Sequence, residues 1–234
     1  RGESLIEAMT AAYQSNPILQ AQRARLRATD EGVAQALSGW RPKVELTGSG
    51  SRTKVRSNAG LNVSTRTPYS GTLSISQSIY EGGQTVAAIG RAESEVMAAR
   101  ARLVSVEQGV LFDTVTAYMN VVRDESILGL NISNERVLGR QHEAARDRFS
   151  VGEVTRTDVA QAESRFARAL ADRRLAEGGL AVSRATYRQI IGTMPGTLVK
   201  PKLPKVPVTD GEHATSLAVK KNPAVLAAIH DSDA

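Results

Sequence analysis

The sequence contains no cysteine, which excludes disulfide bonds and thiolate metal sites. Aromatic residues make up only 4% of the chain, although 41% of its residues are hydrophobic. No run of eighteen apolar residues is present, so no transmembrane helix is predicted. A core of Ala, Val and Leu favours close helix packing over a thick globular interior, because small side chains let backbones approach.

Residues that commonly carry chemistry are sparse. The three histidines, His142, His213 and His230, lie far apart and have no recognised metal-ligand spacing. There is no glycine-rich phosphate loop, no nucleophile motif and no pair of carboxylates with a plausible pocket. We therefore predict no metal, no cofactor and no enzymatic activity.

The formal net charge is +6 and the isoelectric point is about 9.8. Such a balance raises the possibility of a nucleic acid or an anionic membrane surface as partner. Arg and Lys are nevertheless spread among Glu and Asp along the chain, without a dense basic block. This distribution favours a solvated outer helix face over a nucleic-acid site, so no nucleic-acid partner is predicted.

Small or apolar residues recur at alternating steps of three and four in two long stretches. The first series is Ile89, Ala92, Val96, Ala99, Leu103, Val106, Val110, and the second is Val159, Ala162, Phe166, Ala169, Arg173, Ala176, Leu180, Ser183, Tyr187, Ile190. Sustained spacing of this kind predicts a coiled-coil seam and hence a long helical hairpin. A first arm over about 83–149 would be roughly 100 Å long, so we expect an elongated molecule.

Helical signals also open the chain, over about 4–38. Ser4 and Glu7 are spaced like a capping box. Proline is best tolerated as the first residue of a helix, so Asn16-Pro17 predicts two helices rather than one. Trp40-Arg41-Pro42 is expected to end this region.

After Pro42 the period changes to two. The first series is Val44, Leu46, Gly48, Gly50 and the second is Leu73, Ile75, Gln77, Ile79, each alternating with hydroxyl-bearing or other polar residues. This predicts a hairpin of two strands of about ten or more residues, joined by an exposed loop over 56–68. Strands of that length cross a bilayer when tilted, but a soluble hairpin packed on a helix is an equally good interpretation of the periodicity. One hairpin cannot close a barrel, so a membrane location requires further strands.

The two arms of the rod are predicted to meet over 148–158. Gly152 can supply a left-handed helix end, and Thr155, Thr157 or Asp158 can cap the second arm. A connecting turn without any partner remains the alternative to a binding site here. Four of the eight prolines lie between Pro195 and Pro207, which predicts an extended linker.

A weak internal repeat follows the linker. Asn222-Pro223 matches Asn16-Pro17 at an offset of 206 residues, with small residues aligned on both sides. We therefore expect the sequence to be the first part of a protein about twice as long. We expect no signal peptide within this sequence, and its opening residues fit either a processed N-terminus or an arbitrary starting point.

Four segments resemble, in order, the TolC family of outer-membrane efflux proteins over nearly the whole chain. They are Asn16-Pro17-Ile18-Leu19, Trp40-Arg41-Pro42, the run from Ser74 through Tyr80 to Glu81-Gly82-Gly83, and Arg148-Phe149-Ser150-Val151-Gly152 with Thr157-Asp158-Val159. The last of these, at the bend, is the most specific. The order of all four makes coincidence an inadequate explanation.

The resemblance implies a mainly α fold with a β-hairpin. In such a fold a long antiparallel coiled-coil hairpin is joined to two transmembrane β-strands, which contribute to a trimeric 12-stranded barrel. The corresponding divisions are N-terminal helices over 1–40, the barrel hairpin over 41–80, the helical hairpin of a periplasmic tunnel over 81–192, a proline-rich linker over 193–212, and the start of a second repeat over 213–234.

The function implied is a passive exit duct of a tripartite efflux or type I secretion system. It would lie in the bacterial outer membrane with its helical part in the periplasm. The implied partners are two further copies in a homotrimer, a periplasmic adaptor protein, an inner-membrane transporter and outer-membrane lipid. A soluble structural or adaptor coiled coil without a pore is the alternative, and a basic nucleic-acid-binding rod is a third hypothesis.

The resemblance also implies roles for individual residues. An adaptor-docking tip is expected at Val151, Gly152, Glu153, Val154 and Thr155. A periplasmic gate is expected at Thr157 and Asp158, although Asp158 fits equally well as a helix-capping residue. Aromatic residues at the membrane interface are expected at Trp40, Tyr69 and Tyr80.

Overall fold

The computed structural model describes residues 2–56, 63–202 and 210–234. It confirms a mainly helical chain with a β-hairpin, and it groups Ala101–Val225 with the chain up to Arg25 in one unit and Leu26–Arg100 with Leu226–Ala234 in another. The elements are α1 Leu5–Ser15, α2 Pro17–Leu37, a short 3-10 helix Ser38–Trp40, β1 Lys43–Gly50, β2 Thr53–Arg56, β3 Val63–Arg66, β4 Tyr69–Ser76, α3 Gln84–Ser150, α4 Arg156–Ile191, α5 Gly211–Lys221 and α6 Pro223–Ser232.

The two helices predicted at the start of the chain are confirmed. The amide of Ser4 donates to Glu7 Oε2 at 2.7 Å, and the amide of Glu7 donates to Ser4 Oγ at 3.3 Å, which completes the capping box. α1 ends where the amide of Asn16 donates to the carbonyl of Ala12 at 2.9 Å. Pro17 then opens α2, where its missing amide hydrogen costs nothing.

Both arms of the predicted rod are continuous helices. α3 has 67 residues, a length of about 100 Å, and α4 has 36. Every residue of the two predicted seam series is buried or half-buried, which confirms the choice of face. The two series do not face each other along their whole length, because α4 is too short to reach the beginning of α3.

The contacts show which part of α3 each helix covers. α4 packs on the second half of α3, where the rings of Tyr118 and Tyr187 lie 6.5 Å apart. Contacts earlier in α3 come from the N-terminal helices: the Tyr13 hydroxyl donates to Glu107 Oε1 at 3.0 Å. The first seam series therefore lies outside the stretch that pairs with α4.

A small core joins α1, α3 and α4. Its buried residues are Ala8, Ala12, Tyr118, Val121, Leu180, Tyr187 and Ile191. The hydroxyl of Tyr187 donates to Glu3 Oε1 at 2.7 Å, and burial raises the pKa of the Tyr187 phenol, which keeps it neutral. Glu3 and Leu198 form an isolated parallel β-bridge. The residues before α1 and the start of the proline-rich segment therefore lie against the same core. The remainder of that predicted linker, 203–209, lies outside the described residues.

The hairpin differs in length from its prediction. β1 and β4 pair over eight residues each, from Lys43↔Ser76 to Gly50↔Tyr69, so Ile79 lies beyond the strand. A second pair, β2 with β3, starts at Thr53↔Arg66 and occupies part of the expected loop, whose residues 57–62 lie outside the described residues. Pro68 explains the interruption, because it has no amide hydrogen to give to the ladder.

The two ladders nevertheless share one register. Ser51 donates its amide hydrogen to the carbonyl of Pro68 at 3.1 Å, and two residues separate the ladders on either strand. No bulge therefore intervenes, and alternate residues stay on the same face from Lys43 to Arg56. This ribbon is about 46 Å long.

The geometry around Asn16 recurs at Asn222. Their backbone angles are −64° and 123° at Asn16 and −69° and 120° at Asn222. The side-chain oxygen of each accepts a hydrogen bond at 2.9 Å from the amide two residues later. The recurrence of both the helix end and the side-chain bond supports the predicted internal repeat.

Candidate functional site

The bend between α3 and α4 is built on a glycine. The amide of Glu153 donates to the carbonyl of Arg148 at 2.9 Å, and the amide of Gly152 donates to the carbonyl of Phe149 at 3.0 Å. These two bonds form a Schellman helix end, which needs a left-handed residue, and Gly152 has φ +82°. The chain can thus reverse within five residues, from Val151 to Thr155.

α4 begins with a second capping box. Thr155 donates its amide hydrogen to Asp158 Oδ2 at 2.9 Å and its hydroxyl hydrogen at 2.7 Å, while the amide of Asp158 donates to Thr155 Oγ1 at 3.3 Å. The hydroxyl bond of Thr155, followed by its amide bond, lowers the pKa of Asp158. Asp158 is therefore a capping residue here, and no hydrogen bond of the Thr157 side chain is found among the described residues.

The predicted tip residues come together at this end of the helical hairpin. Val151 is 71% exposed, and Phe149, two residues earlier, is 46% exposed. Gly152 has no neighbour within 4 Å of where a Cβ would lie, whereas Val154 is half-buried. The bend thus presents a small apolar surface next to the carboxylate of Glu153.

Polar residues in the seam between α3 and α4 are paired across it. Arg173 lies 3.0 Å from Glu135 Oε2, and its Nε lies 3.3 Å from Glu177 Oε1 without hydrogen-bond geometry. Ser183 donates to the carboxylate of Asp124, whose pKa is lowered by Arg123 first and by Ser183 second. The periodic pattern placed Arg173 and Ser183 in the seam, but it could not identify their partners on the other helix.

The β-hairpin has one apolar and one polar face. Residues directly opposite share a face, so the apolar face consists of Val44, Leu46, Gly48, Gly50, Tyr69, Gly71, Leu73 and Ile75. The polar face consists of Lys43, Glu45, Thr47, Ser49, Ser70, Thr72, Ser74 and Ser76. All sixteen residues are exposed, and Leu46 is 77% exposed.

The three predicted interface aromatics lie at the two ends of the β1–β4 ladder. Trp40 and Tyr80 flank the end next to the helices, where Gln77 Nε2 donates to the carbonyl of Trp40 at 3.4 Å. Tyr69 pairs with Gly50 at the opposite end, about 23 Å away along the strands. All three are exposed.

A feature that the sequence interpretation missed lies on α4, opposite its seam with α3. We call it the outer stripe: Ala160, Ser164, Ala167, Ala171, Leu175, Gly178, Val182 and Ala185. These residues recur at steps of three and four and are all exposed. The same spacing rule applied to the other side of α4 would have found them.

In the part of the chain that the structure describes, no helix combines the length and the hydropathy needed to cross a membrane. In the same residues, no three His, Asp or Glu side chains lie close enough together to hold a metal ion.

Comparison with protein families gives a match over most of the chain. The family described as "Outer membrane efflux protein" matches residues 8–193. The outer membrane efflux protein BepC of Brucella suis is 34% identical over 225 residues, which are 96% of this chain and 48% of BepC. The outer membrane protein TolC of Vibrio cholerae is 29% identical over 81% of this chain and 42% of its own length.

Solved structures give the same fold. The CmeC outer membrane channel of Campylobacter jejuni covers 97% of this chain with a TM-score of 0.78 and 16% sequence identity. The matched part is 50% of CmeC. The chain thus spans about half the length of the relatives that it matches.

Proposed function

Because the chain belongs to the outer membrane efflux protein family, we propose that it forms part of the wall of a passive exit duct for a tripartite efflux or type I secretion system. The family consists of outer-membrane channel proteins rather than enzymes, and its location is the outer membrane. The duct would conduct substrates without chemistry of its own. Energy would come from a transporter in the inner membrane.

The observation that carries this proposal is the exposed apolar face of the β-hairpin. Val44, Leu46, Leu73 and Ile75 are each at least 65% exposed. Each such side chain gains about 1.5–3 kcal/mol when it is removed from water, so a face made only of apolar residues needs a cover. Lipid supplies that cover, while the opposite hydroxyl-rich face suits a water-filled lumen.

Closure of a barrel requires strands from other chains or repeats. An open edge is not tolerated within lipid, because its amide and carbonyl groups would have no partner. The 12-stranded trimeric barrel is therefore proposed with two strands from this repeat, two from a second repeat and three copies of the protein. The half-length match to relatives supports a second repeat.

Helix packing supports the same assembly. α4 carries its seam with α3 on one side and the outer stripe on the other. A helix with two opposite apolar sides packs between two neighbours, and continued side-by-side packing closes a ring of helices. We assign the outer stripe to contacts with a neighbouring helix of the tunnel.

The bend is proposed as the docking tip for a periplasmic adaptor. Gly152 leaves room for close backbone approach, and Val151 offers an exposed apolar contact. Glu153, Val154 and Thr155 complete the tip, Thr155 chiefly by fixing the start of α4. Exposed apolar side chains at a rigid turn are suited to a partner that is itself a helical hairpin.

The gate is proposed at Thr157 and Asp158, in the first turn of α4. Oδ2 of Asp158 accepts the two hydrogen bonds of the capping box, and no hydrogen bond to its Oδ1 is found in the described ranges. The second oxygen is thus available to a cation from a neighbouring helix, so capping and gating are compatible.

Trp40, Tyr69 and Tyr80 are proposed to lie at the two interfaces of the membrane.

Conductance in a planar bilayer tests the proposal, with the full-length trimeric protein. Wild-type protein is expected to form channels, and Leu46→Asp is expected to abolish insertion because it places a charge on the lipid face. Thr47→Asp is the matched control, because the adjacent residue faces the lumen, and it should still conduct. Trimeric wild-type protein without conductance would contradict the duct and favour the soluble coiled-coil alternative.

A further inference from the structure

The far end of the hairpin carries charge of one sign. Between Glu45 and Glu81 the sequence has no acidic residue, yet it has Arg52, Lys54, Arg56 and Arg66. These residues lie beyond the β1–β4 ladder, at the end of the ribbon away from the helices. Such a stretch repels itself unless an anionic partner offsets its charge.

The shared register of the two ladders places these cations on defined faces. Residues at even steps from Gly50 stay on the apolar face, so Arg52 and Lys54 continue the face of Leu46 and Gly50. Arg66 pairs with Thr53 and continues the polar face instead. Arg52 and Lys54, which we call the basic patch, thus extend the side that meets lipid.

The basic patch begins immediately beyond Tyr69. Arg52 is two residues past Gly50, the partner of Tyr69, which is about 7 Å along the strand, and Lys54 is about 13 Å past it. Both side chains are exposed, and neither forms an ion pair among the described residues. Their methylene stems can lie along the apolar surface while their charged ends reach the headgroups.

We propose that the basic patch binds phosphorylated lipid headgroups in the outward-facing leaflet of the membrane. This inference rests on the proposed insertion of the hairpin, which puts the ribbon end opposite the helices on the outer side. The order along one face is then apolar band, aromatic residue and cations, which matches the order of acyl chains, interface and phosphate groups. Charge complementarity selects an anionic headgroup over a zwitterionic one.

Lipid retention by the purified full-length trimer tests the patch. The protein is equilibrated in detergent with lipid A, which carries phosphate groups, or with phosphatidylcholine, and the bound lipid is counted by mass spectrometry. Wild-type protein is expected to prefer lipid A, and the preference should fall as salt is raised. The double variant Arg52→Gln with Lys54→Gln should weaken lipid A binding roughly 25-fold, at about fivefold per charge.

Arg66→Gln is the matched control, because it removes one cation from the same ribbon but from the lumen face. It should change lipid A binding by less than about twofold if position on the lipid face matters. Equal losses in Arg66→Gln and in either single patch variant, or lipid A binding that survives the double variant, would overturn the inference. Tighter retention of inorganic phosphate than of lipid A would overturn it as well.

Conductance separates this inference from the duct itself. The double variant is expected to conduct like wild type, because the basic patch lies outside the lumen. A conducting wild-type protein without preference for lipid A would refute the patch and leave the duct intact. A wild-type protein that neither inserts nor conducts would refute both.

Discussion

Single residues decide how the bend is built. Gly152 has a backbone conformation that other residues adopt at a cost of about 1–2 kcal/mol, and it sets the direction in which the chain leaves α3. Thr155 and Asp158 then start α4 through reciprocal hydrogen bonds. Asp158 therefore has one structural role in the chain, and the proposed gate adds a second role that variants can separate.

Asp158→Asn and Thr155→Ala should separate the two roles of Asp158. The first variant removes the charge proposed to hold the gate closed, whereas the second removes the N-cap hydroxyl, at a cost of about 1 kcal/mol, and keeps the charge. We expect channel conductance to rise above the wild-type value in Asp158→Asn and to stay at that value in Thr155→Ala. Equal leakage in both would show that only the cap matters.

The lowered pKa of Asp158 gives the pH dependence a sign. A carboxyl whose pKa is lower in the folded state stabilises the fold above its unfolded value of about 3.9, and the contribution is lost as pH falls through the folded value. The cap should thus be intact near neutral pH. Acidification below the folded value protonates Asp158 and removes the charge proposed to hold the gate closed, so it should raise the conductance of wild-type channels and change that of Asp158→Asn less.

α3 and α4 pair along a seam that includes charged residues. Arg173 and Glu135 are half-buried, with 27% and 17% of their side chains exposed, in a seam made mostly of small and apolar residues. Polar pairs at such positions fix the register of two helices, because any shift leaves a charge without a partner. Repeats of Ala and Leu alone would permit sliding by a heptad.

Two ion pairs between α3 and α4 should contribute differently to stability. Arg173→Met should destabilise the protein by about 1–3 kcal/mol, because Glu135 is left unpaired in the seam, and adding Glu135→Met should recover most of that loss. Arg184→Met is the control: its pair with Glu125 is more exposed, at 47% and 33%, and should cost less than about 1 kcal/mol. Denaturant unfolding in detergent measures all four proteins. If the single and double seam variants are equally unstable, the loss comes from packing rather than from the unpaired charge.

In the whole molecule, two surfaces that are exposed in the single chain indicate that the protein assembles into an oligomer. The apolar face of the hairpin and the outer stripe of α4 are both exposed and both regular in spacing. A folded chain covers such faces with lipid or with other helices. The proposed trimer uses the first for the membrane and the second for the tunnel.

The prediction at this scale is that Ala171→Glu prevents trimer formation without unfolding the chain. Ala171 lies at the centre of the outer stripe and is exposed, so its substitution should leave helix content unchanged while a charge blocks the approach of a neighbouring helix. Gln161→Glu adds a charge to α4 beside the stripe and should still assemble. Native mass spectrometry reports the copy number, and a trimer of Ala171→Glu would remove the outer stripe from the interface.

Much of the fold followed from periodicity and local rules. Ser4 with Glu7, Asn16-Pro17 and Gly152 act through neighbours within five residues, so their sequence positions suffice to predict them. The hairpin was overextended at Ile79, because alternation continues past the point where pairing ends. The pairing of α4 with the second half of α3 was also missed, since a repeated seam pattern contains no information about which stretch faces which.

The helices, their caps, the two-faced hairpin and the family could be predicted from the amino-acid order, because each depends on nearby residues or on motifs along one chain. Which distant residues meet became known from the folded chain: Arg173 with Glu135, Ser183 with Asp124, and Tyr187 with Glu3. It also showed that the ladder continues in register past Pro68, which places Arg52 and Arg66 on opposite faces. Contacts between distant residues depend on how whole elements align, and that alignment is set by packing over many side chains at once.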